Sequence, residues 1–338
     1  MVLQEDIQTI IADQNIPWKV LQQAKVLVTG ATGLIGSLCI RALQALPFPV
    51  QIYALVRDQE RAAAMLGDEV RYIIGDIRTS VTDLEELDYV IHCASVTKSK
   101  QMVDTPADTL EIAIDGTRNI LQLAQKCHAK GVVYVSSMEV YGVTELAQNP
   151  VTEEKLGYVD LTAARSSYSE GKRAAECLCS AYYHQYGLPV KVARLALTMG
   201  AGIPLSDNRV AMQFAKSAVH GEDIVLHTAG KSNSNFVYTS DCIRGIFTIL
   251  LSGEAGQAYN VCNEAETRSI GEIAAMVADR IAGGKISVVY DIQEGNTFGY
   301  APDVVLRLSA GKLKALGWTP HISLEDAYRR LIRYIQGE

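Results

Sequence analysis

Lys25-Val-Leu-Val-Thr-Gly30-Ala-Thr-Gly33-Leu-Ile-Gly36 is the segment that most constrains what this chain can fold into. Val26, Leu27 and Val28 suit a strand covered on both faces, as in a parallel sheet. Gly30 permits a tight turn, Gly33 lets a backbone approach a pyrophosphate, and Gly36 lets a helix pack closely on the strand. A helix opening there offers unpaired N–H groups and the positive end of its dipole to phosphate. Glycine spacing alone is weak, but here it follows a strand and opens a helix, the context that such a motif requires. The segment therefore predicts a dinucleotide site, with Gly30, Thr32, Gly33, Leu34, Ile35 and Gly36 around the phosphates.

The bulk composition narrows the partners. With 338 residues the chain is long enough for one large core or two joined domains. A net charge of −7 and the lack of a lysine/arginine run argue against nucleic acid. No apolar run is long enough to cross a bilayer. Met1 to Gln14 carries Glu5, Asp6 and Asp13 and has no basic start followed by an apolar stretch, unlike a secretion signal. Seven scattered cysteines without a C-x-x-C pair fit reduced thiols in a cytoplasmic protein better than disulfides or zinc. No metal site is expected: His184, His220 and His227 lack ligand spacing.

Beyond the glycine turn, apolar strands alternate with helices. Strands are expected at 26–29, 51–56, 70–74, 90–94, 132–136 and 190–194. Helices are expected at about 34–46, 109–126 and 168–186. This alternation predicts an α/β fold: a Rossmann-type, doubly wound parallel sheet with ligands along the strand C-termini. Residues 3–14 read as an N-terminal helix packed on the domain or at a subunit contact. After about residue 200 the pattern loosens. Short strands at 224–226 and 236–238, and helices at 241–251, 269–282, 309–316 and 323–336, predict a smaller C-terminal substrate-binding lobe. The expected organisation is a helical extension over 1–24, a dinucleotide-binding core over 25–200, and a lobe over 201–338 interleaved with that core.

Tyr168-Ser-Glu-Gly-Lys172 places a phenol and an ammonium four residues apart, on one face of a helix. A nearby ammonium favours phenolate and draws the tyrosine pKa toward neutrality. A tyrosine so placed can remove a hydroxyl proton as hydride leaves the same carbon. Ser136 and Ser137 lie where a strand ends, and a hydroxyl there can hold the oxygen that alternates between alcohol and ketone.

With these residues in view, the chain resembles the extended short-chain dehydrogenase/reductases of the NAD-dependent epimerase/dehydratase type, which modify nucleotide sugars. The resemblance runs from Lys25 to the C-terminus. It rests on Thr29 to Gly36, Gly75-Asp76-Ile77, His92-Cys-Ala94, Gly116-Thr117, Ser137 to Gly142, Tyr168 to Lys172, Tyr238-Thr-Ser-Asp241 and Leu316-Gly-Trp318. It implies a Ser137/Tyr168/Lys172 triad, selecting Ser137 over Ser136. In this reading Tyr168 is the base in oxidation and the acid in reduction, and Lys172 also binds the nicotinamide ribose. Asp76 and Ile77 flank the adenine, Ala94 borders the cofactor, and His92 is structural. Dimerisation through the helices near 109–126 and 168–186 is a further implication. Tyr168 to Cys179 is most similar to the UDP-glucuronate decarboxylase branch.

Departures from the family pattern decide between its branches. The 4,6-dehydratases carry an acid where this chain has Met138, and a thioether cannot donate a proton. Glu139 remains and can abstract a proton beside a transient ketone. The decarboxylase arginine before the Ser-Asp motif is replaced by Ser234, and a second such arginine by Ala301. Leu197 and Ala113 stand where asparagines are expected. Arg209 is then the best cation for a substrate diphosphate, ahead of Lys231 and Arg307. Arg57 and Asp58 end the second strand: Arg57 suits the 2′-phosphate of NADP and Asp58 the ribose of NAD, and NAD is the preferred reading. The sequence thus points to an NAD-dependent nucleotide-sugar epimerase working through a keto-sugar. Its alternatives are a 4,6-dehydratase, a decarboxylase, an NADPH-dependent keto-sugar reductase, or a silent dinucleotide-binding protein.

Overall fold

The computed structural model describes residues 1–79, 84–292 and 304–338. The chain enters through helix α1 (Val2–Ile11), which lays Ile7 and Ile10 into the core. Trp18 follows, its ring tilted against Phe247 at 4.8 Å between centroids. The extension therefore packs on the domain that follows it.

The core then alternates as expected. Strand β1 (Lys25–Thr29) leads to α2 (Leu34–Gln44), β2 (Gln51–Val56), α3 (Gln59–Leu66), β3 (Arg71–Ile74) and β4 (Tyr89–His92). Helices α4 (Ser99–Asp104) and α5 (Pro106–Lys126), strand β5 (Gly131–Ser137), helix α6 (Ser166–Tyr186) and strand β6 (Val190–Leu195) complete it. Helix α6 ends where Gly187 takes the left-handed conformation, φ 70° and ψ 13°, which glycine adopts without a Cβ penalty.

The later segment begins with β7 (Leu197–Met199), α7 (Val210–His220), β8 (Ile224–Leu226), β9 (Asn233–Tyr238) and α8 (Thr239–Ser252). It continues through β10 (Ala258–Val261), β11 (Asn263–Ser269) and α9 (Ile270–Met276), which passes into a π turn over Val277–Ile281. Strands β12 (Val288–Tyr290) and β13 (Val305–Leu306) and helices α10 (Gly311–Lys314) and α11 (Leu324–Ile335) close the chain.

Seven parallel strands form the main sheet in the order β3-β2-β1-β4-β5-β6-β10. Both faces are covered, as the unbroken apolar strands require. Val26 and Val28 of β1 join the core that includes α2 and α8, while Leu27 joins the one under α5 and α6. Strand order reverses between β1 and β4, so a crevice opens at their C-terminal ends. The smaller lobe has its own core around Met212, Phe214, Phe236 and Tyr328, beside a sheet in which β9 pairs with β7, β11 and β13. Strand β10, which the sequence pattern did not mark, returns to the edge of the main sheet. No described helix is long and apolar enough to cross a membrane.

Candidate active site

The glycine turn sits at the β1/β4 crevice. Gly30 has φ +64°, and a Cβ there would lie 2.8 Å from the Ala94 backbone nitrogen. At Gly36 a Cβ would lie 2.8 Å from the Gly30 carbonyl carbon. These two glycines are demanded by the protein's own packing. Gly33 differs: it is exposed, and an added Cβ would meet only the Gly30 carbonyl oxygen at 3.2 Å. Thr32, Leu34 and Ile35 are half-buried around it. Gly33 also stands at the start of α2, where no side chain caps the first turn. The opening N–H groups of a helix lack internal partners, so an open, uncapped helix start beside Gly33 fits a pyrophosphate.

The turn is braced from behind by His92. Its Nδ1 lies 2.7 Å from Thr29 Oγ1 and its Nε2 lies 3.1 Å from Thr117 Oγ1. The Ala94 N–H donates to the same Thr29 oxygen at 3.2 Å. Burial and the Lys172 charge push the His92 pKa down to about 3, so the ring is neutral and structural.

At the end of β3, the Asp76 carboxylate accepts from Arg78 Nη2 at 2.9 Å, which holds it below the usual carboxylate range. The Ile77 carbonyl accepts from Asn119 at 2.9 Å. Asp58 spends one oxygen on the Arg61 N–H as the cap of α3. Arg57 is exposed, and its charge acts on Asp76. An acidic neighbour of that kind disfavours a 2′-phosphate.

The catalytic candidates meet where β5 ends. Ser136 turns away: its hydroxyl donates to Glu176 at 2.6 Å. Ser137 caps the following turn, its Oγ accepting from the Glu139 N–H at 3.2 Å, and its hydroxyl favours the ionised form of the Tyr168 phenol. Helix α6 brings Tyr168 and Lys172 to this point, because Gly171 lets it approach α5. A Cβ on Gly171 would lie 3.0 Å from that of Ala113.

Lys172 is buried, and among the described residues no carboxylate lies within ion-pair distance of it. Its Nζ donates to the Val135 carbonyl at 2.8 Å and lies 4.7 Å from the centre of the Tyr134 ring. Desolvation lowers its pKa to about 8. An ammonium has three donors, so N–H groups remain for ribose hydroxyls.

The spacing of Tyr168 and Lys172 predicted a tyrosine drawn toward neutrality, and the structure corrects this. Lys172 Nζ lies 5.8 Å from the Tyr168 ring centroid. Burial dominates, Glu139 adds to it, and the phenol is pushed up to about 12 against the opposing pull of Ser137, Arg165 and Arg209. At rest Tyr168 is a proton donor.

On the substrate side, Glu139 accepts from Arg165 Nη2 at 2.8 Å and lies 3.4 Å from Ser169 Oγ. Arg165 was not singled out by the sequence reading, and its guanidinium lies 5.4 Å from the Tyr168 ring centroid. Met138 is half-buried against the core. Arg209 precedes α7, pairs with Asp207 at 3.0 Å, and is close enough to influence Tyr168. Lys231 and Arg307 are exposed, and Leu197 is an exposed apolar residue at the start of β7. Ser234 lies in β9, directly opposite Arg268 of β11. Ala301 falls outside the described residues.

Residues 26–262 match the model of the NAD dependent epimerase/dehydratase family. UDP-glucuronic acid decarboxylase 1 of Xenopus tropicalis is 33% identical over 254 residues, 75% of this chain and 58% of that protein's length. The dTDP-glucose 4,6-dehydratase of Streptomyces venezuelae superposes with a TM-score of 0.76 at 24% identity, covering 93% of this chain and 97% of that one. UDP-glucose 4-epimerase of Thermotoga maritima gives 0.78 at 21% identity, covering 93% and 99%. At these identities the two structures establish the shared fold.

Proposed function

Since the chain belongs to the NAD dependent epimerase/dehydratase family, we propose that it is a nucleotide-sugar epimerase that works through a transient keto-sugar. The observation that carries this reading is the convergence of Ser137, Tyr168 and Glu139 beside the donors left open on Lys172. The glycine turn and Lys172 would hold NAD, which would supply a hydride acceptor. Ser137 orients the sugar hydroxyl, and Tyr168, once ionised in the loaded site, takes its proton during oxidation and gives it back during reduction. Lys172 binds the ribose and lends its charge to the phenolate. Met138 offers no proton to a departing hydroxyl, which disfavours dehydration. The catalytic cycle then has no net redox change, so the cofactor can remain bound. Helices α5 and α6 pack side by side, and this pair is the surface we assign to a homodimer.

A second reading, decarboxylation of a nucleotide-linked uronic acid, draws on the similarity to the Xenopus protein. It is favoured by Arg268, which faces Ser234 across the ladder and presents its cation on the same side of the sheet. The test is a panel of UDP-, dTDP-, CDP- and GDP-sugars without added cofactor, read by mass spectrometry after anion-exchange separation. A new isomer of unchanged mass supports epimerisation. Loss of carbon dioxide selects the second reading, and loss of water rejects both. Turnover only with added NADPH makes the protein a reductase, and no turnover with any of these leaves a binding role.

A further inference from the structure

Arg165 is held in a way that its packing does not explain. It immediately precedes α6, so its side chain shares a helix face with Tyr168, Ser169 and Lys172. One terminal nitrogen, Nη2, donates to Glu139, and the guanidinium approaches the ring of Tyr168. The other, Nη1, is shielded from solvent and has no hydrogen-bond partner. A charged donor left unsatisfied in this way is unfavourable until an acceptor reaches it. The arginine side chain is 32% exposed and that of Glu139 38%, so the pair borders the open side of the site.

We propose that Arg165 is a catalytic residue that carries charge between Glu139 and the substrate, giving Nη1 to the oxygen of an enolate formed when Glu139 removes a proton beside the transient ketone. The proposal rests on the keto-sugar reading above. The step balances as written. The carbon–hydrogen pair becomes a carbon–carbon double bond, and the proton goes to the Glu139 carboxylate. The carbonyl π pair moves onto oxygen. Negative charge leaves the Nη2 end of the guanidinium as it arrives at the Nη1 end, so Arg165 stays neutralised throughout. The oxygen pair then re-forms the carbonyl as a water on the opposite face gives its proton to the carbon, which inverts it, and the hydroxide left behind takes the proton from Glu139 and restores the carboxylate.

The groups facing the phenol bear on the same step. Glu139 follows β5, Arg165 and Lys172 belong to the α6 face, and Arg209 approaches from the start of α7. Tyr168 holds the sugar's proton through this step, and the charges of Arg165 and Arg209 favour its return to the ketone oxygen.

The test follows two half-reactions of the full-length protein in deuterium oxide, with UDP-glucose and UDP-glucuronate as separate probes. One readout is the burst of reduced nicotinamide on mixing, and the other is deuterium incorporated next to the oxidised carbon. In Arg165→Met, exchange is expected to fall by about 10²–10³-fold, the usual loss for an oxyanion donor. The burst should fall less than tenfold. Arg165→Lys, which keeps a charge and a donor, should recover part of the exchange and guards against a folding defect. Equal loss of burst and exchange in both variants overturns the proposal and makes Arg165 a packing residue. A wild-type burst without exchange also overturns it, while leaving the keto-sugar reading intact. Absence of a burst with either probe and with the wider sugar panel defeats that reading itself.

Discussion

The charge cluster that anchors the N-terminal segment and the one at the candidate active site are built differently. In the N-terminal clamp, Arg244 donates to Asp13 at 2.6–2.7 Å, to Asp241 at 2.9 Å and to the Thr319 carbonyl at 3.0 Å. The other Asp241 oxygen accepts from the His321 and Ile322 N–H groups at 2.9 Å. In the catalytic cluster, Arg165 has a terminal nitrogen without a partner, and Lys172 gives one hydrogen bond to a carbonyl. A satisfied polar network fixes structure, whereas one with open donors holds them for a ligand. The contrast predicts that substitutions in the two clusters damage different quantities.

The largest effect is expected at Tyr168. Tyr168→Phe removes the proton donor but keeps the ring, so turnover should fall by about 10²–10⁴-fold, the range for a lost general acid–base. Urea unfolding of the same variant should differ from the native protein by less than about 1 kcal/mol, the net value of one hydrogen bond. A variant with full turnover would remove Tyr168 from the chemistry and break the comparison at its catalytic end.

Arg244→Met is the converse. It strands Asp13 and Asp241, whose side chains are 6% and 1% exposed. Breaking a buried pair in this way costs about 3–5 kcal/mol. Equilibrium unfolding should show that loss, while turnover per folded molecule is retained. Adding Asp13→Asn should recover part of it, because one stranded charge is removed. If activity falls and stability does not, the clamp belongs to the active site after all.

How much of each cluster was legible follows from the same geometry. Strands β1, β2, β4, β5 and β6 are short apolar runs whose pattern needs only local sequence, and they appear where the alternation placed them. Tyr168 and Lys172 were legible because four-residue spacing is itself a statement about a helix face. Arg165 was not, since its partner Glu139 lies 26 residues earlier and only the return of α6 brings them together. Strand β10 escaped notice because four residues after a glycine turn carry too little pattern to distinguish a sheet edge from a loop. Helix α7 escaped because the segment after Arg209 was read only for a diphosphate-binding cation and not for its helical spacing. The clamp was the most hidden part. Asp6 and Asp13 counted only as acidic residues unlike a leader, yet their buried partners Tyr238 and Arg244 lie 232 and 231 residues away.

Asp6 sharpens the comparison from within the N-terminal region, because its cluster is satisfied but strained by burial. Its carboxylate accepts from the Tyr238 hydroxyl at 2.6 Å and from Arg330 at 2.9 Å. Desolvation outweighs both partners and lifts its pKa from 3.8 to about 6. Below the unfolded value both states hold the proton, and Asp6 adds no pH dependence. Between 3.8 and about 6 the unfolded chain releases the proton while the fold keeps it, so stability falls as pH rises through that window. Above it the accumulated penalty is about 3 kcal/mol. Asp6→Asn keeps an acceptor for Tyr238 and removes the ionisation. Urea unfolding should therefore find the variant close to the native protein near about pH 4 and more stable by up to about 3 kcal/mol near about pH 8. Because the other acidic groups are common to both proteins, the difference between the two curves isolates Asp6. Parallel curves would mean that Asp6 stays ionised and fully compensated by Arg330, making the N-terminal anchor a second satisfied ion pair like that of Arg244.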